Sequence, residues 1–122
     1  MEDKEHLLIL DDIEYSLNIK QESNRLIIEV KEKKNDIPFN YNLNLNYEEM
    51  IKLNNAFLIL DSLDEIKIFL DKILSNKDKV KVEIDESEEN MFIYVEYDFF
   101  SLIKNIKLNL KKNIIHFIFL II

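Results

Sequence analysis

The sequence predicts an α+β fold: a small antiparallel β-sandwich or barrel-like domain in the order β-β-β-α-α-β-β-β, with an αα-hairpin inserted midway. Three observations carry this. Hydrophobic residues alternate through the first third of the chain, recur at helical spacing through the middle, and alternate again towards the end. The segment FNYNLNLNYEEM, residues 39–50, holds the first of these changes within itself.

Ile13, Tyr15, Leu17 and Ile19 alternate with Glu14, Ser16, Asn18 and Lys20, the signature of a half-buried strand. Residues 7–10 add a short strand before it. Residues 25–31 form the next, with Leu26, Ile28 and Val30 facing inward. Phe39, Tyr41, Leu43 and Leu45 then alternate with asparagines after Pro38, so the three clear strands make an antiparallel meander. Asn46 is placed to accept the first free amide hydrogens of a helix, with Glu49 returning the bond. Met50, Leu53, Phe57 and Leu60 define helix 47–60. Ser62 and Glu65 repeat the capping pattern, and Ile66, Phe69, Leu70, Ile73 and Leu74 give one buried face to helix 63–75. Alternation returns with Val80, Val82 and Ile84, then Met91, Ile93, Val95 and Tyr97, then Ile106, Leu108 and Leu110. DESEEN, residues 85–90, reads as a solvated acidic turn.

The chain has 122 residues, enough for one modest core, which burial statistics put at roughly two thirds of the unfolded surface. Residues 1–112 are read as a single domain, and the apolar run within 113–122 as a tail about half as long as a membrane-spanning helix. There is no glycine, so asparagine is expected at turns that need positive φ, with Asn24, Asn35, Asn76 and Asn90 in the right places. The formal net charge of −8 argues against direct nucleic-acid binding and against an anionic membrane surface. The absence of cysteine excludes disulfides and zinc–thiolate sites. No glycosylation sequon or secretory signal occurs, which fits a cytoplasmic protein.

Chemistry is hard to find. No glycine-rich phosphate loop, metalloprotease motif or nucleophile elbow is present. His6 and His116 lie near opposite ends and are read as incidental, His6 in a flexible terminus. The six serines lack a nucleophile setting, and the acids at 85–89 lack a loop that encloses a cation. The expectation is a protein that is not an enzyme, with no cofactor, no metal and no small-molecule substrate.

One stretch is unusual. YDFFSLIKN, residues 97–105, places Phe99, Phe100, Leu102 and Ile103 in what reads as a link between two strands, where polar residues are the rule. Either the rings fold into the core, or one protrudes and anchors a partner.

The order of elements resembles the head domains of a superfamily that includes the centriolar cartwheel (spindle assembly) protein and the scaffolds of DNA end joining. FNYNLNLNYEEM resembles the strand-into-helix segment of the cartwheel family. YVEYDFFSLIKNIKLNL, residues 94–110, resembles its last hairpin: Val95–Glu96 match a Val-Glu pair, Asp98 stands where asparagine is usual, and Phe100 falls at the turn phenylalanine. The resemblance implies a structural, self-associating head (a homodimer or larger homo-oligomer) that docks by Phe100, with Phe99 and Leu102 beside it. It implies a receiving pocket on the helix pair, around Phe57 and Leu58, and a place at the centriole or basal body. The partner is then a second copy or another protein. The family also carries a coiled coil after the head, and no heptads follow Lys112 here. A generic cytosolic interaction module and an end-joining-type scaffold head are the alternatives.

Overall fold

The computed structural model describes residues 4–33 and 40–112. Its strands are β1 (Glu5–Leu10), β2 (Ile13–Glu22), β3 (Arg25–Glu32), β4 (Asn40–Asn46), β5 (Val80–Ile84), β6 (Asn90–Phe99) and β7 (Leu102–Lys112). Helices α1 (Tyr47–Leu53) and α2 (Leu63–Leu74) lie between β4 and β5, with short 3-10 turns at Asn55–Ile59 and Lys77–Lys79. One sheet runs β1-β2-β3-β4-β7-β6-β5 with every neighbour antiparallel. It curls until it is nearly a closed barrel. Seven antiparallel strands leave the two edges, β1 and β5, running the same way, so the antiparallel ladder cannot continue across the seam.

The core is the inner face of that sheet with α2 laid against β2, β3 and β6. Leu17, Ile19, Leu26, Ile28, Val30, Met91, Ile93, Val95, Ile106, Leu108 and Leu110 are all buried there. Phe57, Ile66 and Leu70 meet them from the helical side. The alternation that identified the strands is therefore the alternation of barrel interior and exterior.

The structure adds to the expected order in two places. The strand before Ile13 is six residues long and pairs with β2 along its length, so four strands precede the helices. Helix 47–60 is two pieces. Asn54 takes an extended backbone (φ −156°, ψ 136°), and its side chain accepts the Ala56 N–H at 2.8 Å, ending α1 and starting the 3-10 turn. The expected caps are present. Asn46 Oδ1 accepts from the Glu49 N–H at 2.8 Å, and Glu49 Oε1 accepts from the Asn46 N–H at 3.0 Å. At α2, Ser62 Oγ accepts from the Glu65 N–H, but the Glu65 carboxylate takes the Asp61 N–H instead of closing the box on Ser62.

Positive φ is distributed differently from expectation. Asn24 has it, and Asn76 does not. Asp11, Asp12, Ser23, Glu88, Phe100 and Ser101 supply the rest, so Asn90 is not needed for it. Nor is His6 at a loose end. It lies on β1, buried, with Nε2 2.8 Å from Asp71 Oδ1 of α2, and Lys67 Nζ reaches the other Asp71 oxygen at 3.2 Å. Asn35, Pro38, Phe39, His116 and the 113–122 tail lie outside the described residues.

Candidate functional site

The unusual stretch is a hairpin. Tyr97 pairs with Lys104, Asp98 with Ile103 and Phe99 with Leu102, so the link is two residues, Phe100–Ser101. This corrects the longer link read from sequence: β-branched and aromatic residues on both sides continue the ladder to its tip. Both turn residues have positive φ, 49° at Phe100 and 66° at Ser101, as two-residue hairpin turns of this hand require. Asparagine, aspartate and glycine are the usual occupants. Phenylalanine is not, because its Cβ crowds the backbone there.

The ring does not return to the core. Phe100 is 88% exposed, Leu102 58% and Ile103 63%. Phe99 is half-buried, and its ring meets Phe100 edge-on with centroids 4.7 Å apart.

Beside the hairpin is a groove of about 600 Å³. Leu53, Ala56 and Ile59 form its helical wall, and Phe69, Tyr97 and Phe99 its aromatic side. Lys52 and Lys104 stand at the rim. Three rings step outward from the core edge to face: Phe57 to Phe69 at 6.4 Å, then Phe69 to Tyr97 at 5.3 Å. The break at Asn54 makes the groove. It turns the 3-10 segment out of line with α1, and its Nδ2 donates to the Asn105 carbonyl of β7 at 3.3 Å, tying the helices to the hairpin. Burial pushes the Tyr97 phenol pKa up.

Neither of the two residues named from the resemblance for a receiving pocket lines this groove. Phe57 has no exposed surface and belongs to the core, and Leu58 is exposed outside the groove. Ala56, Ile59 and Phe69 line it instead. The signal was the Asn54–Asn55 pair, which interrupts a helix that hydrophobic spacing alone would run through to Leu60.

Among the described residues, no group of three or more His, Asp or Glu side chains is arranged to hold a metal ion. Among them also, no helix is long and apolar enough to cross a membrane.

No family model matches this chain, and no curated protein matches it. A solved structure does. The head domain of human CCDC61 superposes with a TM-score of 0.66 over 93% of this chain and 98% of that one, at 9% sequence identity. The fold is that of a head domain. The fold anticipated from the order of elements is therefore present in three dimensions, although few residues are shared.

Proposed function

We propose that the domain is a non-enzymatic assembly head that self-associates, each copy docking Phe100 into the groove of the other. One observation carries this reading: a phenylalanine held in left-handed backbone and 88% exposed, at the tip of a paired hairpin beside a groove with aliphatic and aromatic walls. That conformation costs a bulky residue about 1 kcal/mol or more. Among the described residues, the ring contact it makes is an edge contact with Phe99. A costly aromatic presented to solvent is what an interface anchor requires.

Phe99 lines the groove and touches Phe100, so anchor and receptor adjoin. Adjacent, complementary patches suit a two-fold axis, across which two copies exchange anchors reciprocally. Leu102 and Ile103 flank the ring and widen the apolar contact. Asp98 on the hairpin complements Lys52 at the groove rim and favours productive encounters. The fold likeness to a structural head domain supports assembly over catalysis. A cytoplasmic place at the centriole or basal body comes with the cartwheel resemblance alone.

Sedimentation equilibrium tests the reading. The wild-type chain should show a monomer–dimer equilibrium, and Phe100→Glu and Ile59→Glu should each abolish it. Mixing the two variants should restore partial association, because one intact anchor then meets one intact groove. Identical sedimentation of wild type and Phe100→Glu, both folded by circular dichroism, would leave a head that binds some other protein.

A further inference from the structure

The opposite end of the barrel carries a second cavity, of about 690 Å³, distinct from the docking groove. The β6–β7 ladder runs from the Phe100 turn to Asn90–Lys111, and there the β1–β2 turn, the start of β4 and the β5–β6 turn surround an opening. Leu10, Ile13, Tyr15, Tyr41 and Ile84 give it apolar and aromatic walls. Its six acidic lining residues are Asp11, Glu32, Glu83, Asp85, Glu86 and Glu88, against one lysine, Lys112.

Acidic residues alone would mean little, and Asp85 is already committed to the fold. Its carboxylate accepts from the Glu89 and Asn90 N–H groups, the Ser87 hydroxyl and the Asn90 side chain, and these bonds hold its pKa below the usual range. The informative group is Tyr15. It is only 7% exposed, it lines the cavity, and among the described residues nothing hydrogen-bonds its hydroxyl. Native structures rarely leave such a group without a partner. Its neighbour Tyr41 is satisfied, donating to the Glu88 carbonyl at 2.8 Å. Burial, and then the surrounding negative charge, keep both phenols protonated, with Tyr41 pushed up to about 12. A protonated phenol in negative potential offers its oxygen lone pairs to a cationic N–H donor.

The acids do not converge on one point as metal ligands do. They are spread along a rim, above aromatic walls. That pattern suits a planar cation, which donates to several carboxylates and a phenol oxygen at once. A second copy of this chain cannot supply it readily: the one arginine, Arg25, is engaged by Asn44 and Glu49.

We infer that this acidic mouth receives an arginine-bearing segment of a different protein, its guanidinium seated against Tyr15 and Tyr41 and bonded to the Glu86 and Glu88 carboxylates. The surface is separate from the Phe100 groove, so a head can dimerise and hold this partner together.

A fluorescently labelled Arg-Gly-Arg-Gly-Arg peptide, titrated against the full chain by anisotropy, tests this. Binding should saturate and weaken as salt rises, and the same peptide with citrulline for arginine should not bind. Tyr15→Phe and the pair Glu86→Gln with Glu88→Gln should each weaken it by about tenfold, with the fold unchanged by circular dichroism. The remote pair Glu22→Gln with Glu48→Gln should leave it unchanged. Equal loss from the remote pair would reduce the effect to attraction by the overall charge of −8 and overturn the assignment. Equal binding of the citrulline peptide, or no saturable binding at low salt, would overturn it as well.

Discussion

The turns Ser23–Asn24 and Phe100–Ser101 have one backbone shape and opposite chemistry. Both close two-residue hairpins, between Glu22 and Arg25 in one case and Phe99 and Leu102 in the other. Their φ angles are 47° and 66°, and 49° and 66°. Asp11–Asp12, at 51° and 65°, is another of the kind. Two of the three use short polar residues that tolerate this region and can hydrogen-bond locally. The third puts a phenylalanine there and exposes it. Folding accounts for the first two choices and works against the third. Where a residue opposes the local rule that its neighbours obey, function is the place to look for the compensation.

The largest effect that would break this comparison comes from the body of the hairpin. Ile93 is fully buried opposite Leu108, so Ile93→Ala should cost about 2–4 kcal/mol in urea unfolding. Phe100→Ala, at the tip of the same hairpin, should cost close to nothing. A comparable loss in both would place the Phe100 ring in the core and remove the contrast between the turns. A smaller effect sharpens it. Writing Phe-Ser into the β2–β3 turn, as Ser23→Phe with Asn24→Ser, should destabilise the fold by roughly 1 kcal/mol and leave self-association unchanged. Association that grew would mean that any exposed aromatic suffices, whatever groove lies beside it.

The same contrast separates what was legible in the sequence from what was not. The barrel interior was legible because a period of two is intrinsic to a strand, and Leu26, Ile28 and Val30 needed no partner to be recognised as one face. The caps at Asn46 and Ser62 were legible because their partners lie three residues away. The position of Phe100 at a turn was visible through its resemblance to a family hairpin, but its exposure was not. Whether a ring in a link folds inward depends on how far the ladder extends, and that is a property of two strands together. The groove was harder still. It joins Leu53, Ile59 and Phe69 to Tyr97 and Phe99 across the sequence, and the feature that opens it, the Asn54 break, was hidden inside a regular hydrophobic spacing. Asp71 was unreadable for the same reason. Its partner His6 is sixty-five positions away, on a strand that short sequence patterns mark only weakly.

The smallest expected effect is the most direct measure of what the third turn gives up. Phe100→Asn installs the residue that Ser23–Asn24 uses, in the backbone conformation it prefers. The strain at that position should fall, and the domain should gain about 0.5–1 kcal/mol, read as a higher urea midpoint at unchanged slope. The same variant removes the ring, so self-association should disappear as stability rises. Opposite movement of the two quantities is the signature of a residue kept for binding. If both fell together, the ring would be supporting the hairpin that presents it, and Phe99, in edge contact with Phe100, would be the residue through which that support passes.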